Sequence, residues 1–175
     1  MKTPALVLLV FASLTGYGQA TPPSLTVPDG NKLIQHAYAK GVQIYVCTQD
    51  PKDTSRYQWN LVGPEATLYA REDYHQQVGK HYMSPISEPT WESTDGSRVS
   101  AAKVQQAAAP DAGAIPWLLL KTTNVTGFGP LRATTYIQRI HTKGGVPSPA
   151  DANSVHKGQY VRVAYAAEYL FYGPK

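Results

Sequence analysis

The sequence predicts an all-β domain, either a single antiparallel β-barrel or a two-sheet β-sandwich of about eight strands with long loops. Three observations predict it. The 12 tyrosines gather in segments of alternating polarity, and tyrosine suits a half-buried pleated surface. The 14 glycines and 14 prolines punctuate those segments as turn and loop residues do. The segments between them are mostly too short for crossover connections, which leaves antiparallel pairing. No heptad pattern and no internal repeat competes with this reading.

The chain opens with MKTPALVLLVFASLTGYGQA. Lys2, the apolar run Ala5 to Leu14 and the small residues Gly18 and Ala20 have the order of a secretory signal peptide cleaved after Ala20. The run is too short to span a bilayer, and no later run is long enough. Residues 1–20 are therefore expected to leave during export. Residues 21–175 remain as a single domain, secreted or periplasmic, with no membrane span in the mature chain.

Along that domain, LIQHAYAKGVQIYVCTQ (33–49) alternates on both sides of Gly41, itself a turn or a bulge. Val42, Ile44 and Val46 share one face, and Gln43, Tyr45 and Cys47 share the other. RYQWNLV (56–62) follows, with Trp59 among its alternating residues. Gly63-Pro64 should break it before EATLYA (65–70). Residues 71–79 read as a solvent loop. Asp95-Gly96 then signals a hairpin with a two-residue turn that sets Trp91 opposite Ser100 and Glu92 opposite Val99. Residues 99–113 fit either a short helix or a continued strand. AIPWLLLKTT (114–123) is the most apolar mature run and fits a buried strand. LRATTYIQRIHT (131–142) alternates, with Ile137, Arg139 and His141 on one face. Residues 143–158 form a long loop. QYVRVAYAAEYLFY (159–172) has the cleanest pattern, with Val161, Val163, Tyr165, Ala167, Tyr169 and Phe171 on one side.

These motifs, in this order, resemble a known family. KGVQIYVC, PEATL, GKHY, WESTDGSRV, AIPWLLL, TYIQR with a following GG, and AEYLFY are similar to an exported family of bacteria and fungi. It is catalogued as domain of unknown function 3455. The resemblance runs from about residue 30 to residue 173. It implies export, one β-rich domain and no established activity. Members of that family often carry a second cysteine in the loop before the last strand. Here that loop reads SPADANSVHKG, so the disulfide the resemblance implies is absent and Cys47 stands unpaired.

Composition narrows the function classes. The formal charge of +4 falls to +3 once Lys2 is removed, and the basic residues are scattered without interleaved aromatics, so nucleic acid is not an expected partner. No phosphate loop, nucleophile elbow, paired-cysteine spacing or dinucleotide fingerprint is present, and no cofactor is expected. The leading expectation is a small-ligand-binding or cell-envelope interaction protein. Its pocket would be drawn from Tyr45, Trp59, His81, Trp91, Trp117 and Arg139, since aromatic walls with a few polar groups are typical of such sites. The alternative is a hydrolase or isomerase using His81 as base, with Tyr82, Glu92 or Asp95 assisting. A third reading has His75 and His81 hold a metal with a carboxylate. Asn124 opens a glycosylation sequon, which matters only in a eukaryote.

Overall fold

A computed structural model describes residues 22–175, so residues 1–20, expected to be a signal peptide, lie outside the described residues. Eight strands follow one another: β1 (Asn31–Gln49), β2 (Tyr57–Tyr69), β3 (Gln77–Met83), β4 (Pro89–Ser93), β5 (Arg98–Ala107), β6 (Trp117–Thr126), β7 (Tyr136–Gly144) and β8 (Tyr160–Pro174). Each is antiparallel to the next, and β1 also pairs with β8, so the sheet closes into a barrel. Alternation alone allowed a barrel or a sandwich. The β1–β8 ladder from Asn31–Pro174 to Val46–Tyr160 decides for the closed ring.

Inside the barrel, large and small side chains face each other. Trp91, Tyr169 and Phe171 are buried from β4 and β8, while Ala37, Ala39, Ala66, Ala101 and Ala167 make the wall they fill. Gly41 belongs to that small wall. Its φ is not positive, so turn geometry is not what requires glycine. A Cβ there would stand 2.2 Å from the Glu65 carbonyl oxygen on β2. Only glycine lets the two backbones approach so closely.

A second, smaller core lies outside the barrel. The segment from Pro22 to Gly30 lays Leu25 over β6 and β7, where it packs with Trp117, Leu119 and Ile140. Gln138 ties the segment down: its side-chain amide donates to the Leu25 carbonyl at 2.6 Å, and its amide oxygen accepts from Tyr172 at 2.8 Å. This strap explains why AIPWLLL is apolar on both faces. Leu118 and Leu120 face the barrel interior; Trp117 and Leu119 face the strap.

Two local expectations are corrected and one open alternative is decided. Gly63-Pro64 does not end a strand. A bulge opposite Ile44 and Tyr45 takes up the irregularity, and β2 runs through. Residues 98–107 are strand, not helix, because they pair with β6 along most of their length. The hairpin at Asp95-Gly96 has three loop residues rather than two. Only Gly96 has positive φ, at 90°, and the Ser93 amide bonds the Ser97 carbonyl. This is the three-residue loop with glycine in the left-handed position. The register moves by one residue, so Trp91 faces Val99 and Glu92 faces Arg98. Trp91 is thereby committed to the interior, and Arg98 meets Glu92 outside at 2.9 Å.

Loop 145–159 is not merely a surface excursion. It folds over the end of β1, where the Cys47 amide bonds the Gln159 carbonyl and the Gly158 amide bonds the Cys47 carbonyl. The Cys47 thiol is fully buried against the Asn153 carbonyl at 3.7 Å. A buried, unactivated thiol is inert. Thiol reagents should leave Cys47 unlabelled in the native protein and label it completely in denaturant; rapid native labelling would contradict this packing. Gly41→Ala should lower unfolding stability by about 3 kcal/mol, the upper end for overpacking against an unyielding backbone, and an unchanged urea midpoint would refute the close-approach argument.

Candidate functional site

The packed part of the barrel ends at a group of four rings. His81 pairs with Trp91 across β3 and β4, and their rings stack at 4.2 Å with 8° between planes. Tyr169 meets both edge-on, at 5.1 Å from His81 and 5.3 Å from Trp91. Phe171 closes the far side of Trp91 at 6.4 Å. Above this group, toward the loops that follow β1, β3, β5 and β7, the barrel is hollow. The cavity is about 250 Å³, room for about eight waters. Its walls are mainly Leu61, Pro64, Met83, Pro89, Leu118 and Leu120, with Gln43, His81, Trp91, Arg139 and Tyr169 supplying polar atoms.

Those polar atoms are under-satisfied. Gln43 Nε2, Trp91 Nε1 and the Tyr169 hydroxyl are buried without a hydrogen-bond partner, and so is the hydroxyl of Tyr165. The two tyrosines neighbour each other and Arg139 without making a hydrogen bond of ordinary geometry. Burial raises the pKa of both phenols, against the pull of the Arg139 charge, so both stay protonated. A buried polar atom without a partner costs about 1–3 kcal/mol. Several around one cavity are the ordinary mark of a site that a ligand or ordered water completes.

His81 sits on this floor as a neutral ring. Its Nδ1 lies 2.9 Å from the Thr90 carbonyl oxygen. A carbonyl only accepts, so Nδ1 carries the hydrogen and Nε2 keeps its lone pair. Burial drives the imidazole pKa down to about 3; the Thr90 bond opposes this and the Arg139 charge adds to it. A base that weak is poorly matched to proton abstraction near neutral pH.

The proposed acid–base partners are not assembled around it. Tyr82 and Glu92 lie on the outer face of the sheet, where the Tyr82 hydroxyl donates to Glu92 at 2.7 Å and Lys80 and Arg98 flank the carboxylate. Burial alone would raise the Glu92 pKa; Tyr82, Lys80 and Arg98 together hold it below the ordinary value. Asp95 accepts from the Ser97 amide at 2.8 Å and serves its turn. His75 is exposed in the loop between β2 and β3, its amide bound to Asp73. Among the described residues, no group of three His, Cys, Asp or Glu side chains is placed to hold a metal.

Of the six residues expected to line a pocket, the structure brings three together: His81, Trp91 and Arg139. Trp117 lies outside the barrel beneath Leu25, because Leu118 is the residue paired with Arg139 and the neighbouring parity points outward. Trp59 lies past the cavity, its indole nitrogen donating to the Ser148 carbonyl at 3.1 Å, in a separate groove with His156. Tyr45 is on the inner face, but its hydroxyl is bound to the Gly145 carbonyl at 2.7 Å. Gln43 and Tyr169 were missed. Tyr169 belongs to the cleanest alternating face in the chain. Gln43 lies opposite Val42, Ile44 and Val46, and the more apolar face invites an inward reading. A strand end that lines a hollow reverses that preference.

Together these features define a class: an up-and-down antiparallel barrel, packed with aromatic rings at one end and hollow at the other. The chain belongs to the family described as protein of unknown function, DUF3455, whose model matches residues 28–173. No curated protein and no solved structure matches it. The loop in which the family resemblance places a second cysteine is the one that lies on Cys47.

The depressed His81 pKa has a pH consequence. The unfolded chain binds the His81 proton near pH 6.5, while the folded chain resists it down to about 3. Stability is therefore full above pH 6.5 and falls as pH drops through that window, by about 1.4 kcal/mol per pH unit. His81→Gln should flatten the urea-derived stability between pH 6.5 and 4.5; an unchanged slope would mean that His81 protonates in the folded state.

Proposed function

We propose that this chain is an exported protein that binds a small organic molecule inside its barrel. The observation that carries the reading is the hollow beside the His81–Trp91 stack, with apolar walls and unpartnered buried polar atoms on the same lining residues. Barrels of eight strands have an interior just wide enough to fill with side chains or to hold one small ligand. Here one interior does both, so the rigid floor is in place before a ligand arrives, and preorganisation reduces the cost of binding. The signal-like N-terminus supports export, and the mouth of the cavity would then face an extracytoplasmic medium.

The mouth fits a ligand with an apolar body. Leu61, left exposed among the lining residues, continues the apolar wall of Pro64, Met83, Pro89, Leu118 and Leu120 to the surface. Of the two expectations from sequence, small-ligand binding is the one the cavity favours over an envelope contact through the outer wall. Acid–base hydrolysis loses ground because His81 is neutral and separated by the sheet from Glu92.

A neutral, environment-sensitive dye of naphthalene size should bind at one site per chain and raise the melting temperature. At a hundredfold excess over Kd the gain is about 2.7 kcal/mol. Leu118→Trp, which fills the hollow from its own wall, should abolish both signals while leaving a cooperative unfolding transition. Dye binding undiminished in that variant would place the ligand elsewhere.

A further inference from the structure

We infer that the molecule taken by this cavity is an anion: a small carboxylic acid whose apolar body lies along the leucine and proline walls and whose carboxylate is received by Arg139. The inference rests on the ligand-binding reading above and narrows it to a chemical class.

The charge inventory of the lining points one way. Two cations contribute to it, Arg139 on β7 and Lys103 near the mouth on β5, and no aspartate or glutamate does. Among the described residues, Arg139 has no carboxylate partner. The other arginine pairs seen, Arg98 with Glu92 and Arg162 with Glu65, lie on the outer surface. Lys103 is occupied only by the neutral Gln106 amide oxygen at 2.9 Å.

Arg139 is held in place. Its Nε and Nη2 both donate to the Pro116 carbonyl, at 3.1 and 2.9 Å. The ladder sets the residue between Leu118 and Tyr169 on the inner face. Two of its five hydrogens are thus spent on fixing the plane of the guanidinium and the Tyr169 hydroxyl lies beside it, which leaves hydrogens over for a bound acceptor. A fixed, planar fork is the geometry that suits a carboxylate.

The neighbouring unpartnered atoms are of the matching kind. Gln43 Nε2 and Trp91 Nε1 can only donate, and the Tyr169 hydroxyl donates once an acceptor is present. All three residues are at least nine-tenths buried. A cavity with two cations that lack a carboxylate and three unpartnered donors favours an anionic acceptor, and a carboxylate supplies two oxygens with about four acceptor sites. A cationic ligand would meet two like charges and no acidic side chain. A neutral hydrocarbon would fill the hollow but leave Arg139 and the donors unpaired, at a cost for each. His81 Nε2 keeps an acceptor lone pair on the floor and offers a place for a hydroxyl or amide hydrogen on the ligand body.

The test compares phenylpropionate with phenylpropionamide, which share a skeleton and differ in charge, by titration calorimetry on the mature chain. Phenylpropionate should bind at least about tenfold more tightly, the least expected for a hydrogen bond to a charged group at a half-buried site. Arg139→Met should bring the acid down toward the amide, and Arg139→Lys should restore part of the preference. If Arg139→Met fails to fold, a pH series on the unmodified chain serves instead. Acid binding should be level from pH 8 to 5.5 and weaken as the ligand carboxylate protonates near about 4.5, with amide binding unaffected. Equal affinity for acid and amide, or tighter amide binding, would overturn the anion inference and leave the ligand-binding reading standing. Failure of phenylpropionate while the neutral dye binds would do the same. If the dye also fails, the ligand-binding reading itself is lost.

Discussion

The stack of His81 on Trp91 is the contact on which the rest of this molecule depends. It joins β3 to β4 through the interior, and Tyr169 and Phe171 from β8 close against it. The four rings act as a partition. Below them the barrel is a packed core of aliphatic and alanine side chains; above them it is hollow. An aromatic stack of this area stabilises the fold through dispersion and burial together. It also makes the floor of the cavity from side chains that are almost fully buried.

The partition works because its members have been forced into particular ionisation states. His81 is deprived of water, bonded through Nδ1 to Thr90 and repelled by Arg139, so it stays neutral and can lie flat on an indole. A charged imidazole in that position would lack both solvent and counter-ion. The same burial keeps the Tyr165 and Tyr169 phenols protonated. Arg139 therefore has no internal anion to pair with, and its neighbours stay neutral around it. The positive charge of the cavity is a product of the fold, since the acidic side chains of β2, β4 and β8 named in ion pairs, Glu65, Glu92 and Glu168, all lie on the outer surface.

The outer surface shows the opposite logic. Glu168 accepts from His36 and His141 at 2.9 Å each, and Glu92 gathers Tyr82, Lys80 and Arg98. These groups tie neighbouring strands together where water screens them, and such ties contribute little each. The strap from Pro22 to Gly30 is a stronger device. It hides Trp117, Leu119 and Ile140, which the closed barrel alone would leave exposed, and Gln138 secures it from beneath.

The sequence by itself determined the all-β class, the strand count and most inward faces. These depend on period-two alternation and turn residues, which are local. Tyr165 to Phe171 was legible as a buried face because every second residue repeats the signal over a long strand. Membership of the family was legible in the same way, from short motifs in order. What only the tertiary structure decided is closure and everything closure brings together. Arg139 and His81 lie far apart in the chain, and their shared cavity follows from the registers of all eight strands. Trp117 faces outward because one pairing, Leu118 with Arg139, sets its parity. Trp91 faces inward because the Asp95-Gly96 turn carries three residues instead of two. A change of one residue in register turns every side chain of a strand to the other face. The faces of isolated strands can be read one at a time; the contents of a barrel exist only when all the strands are in register together.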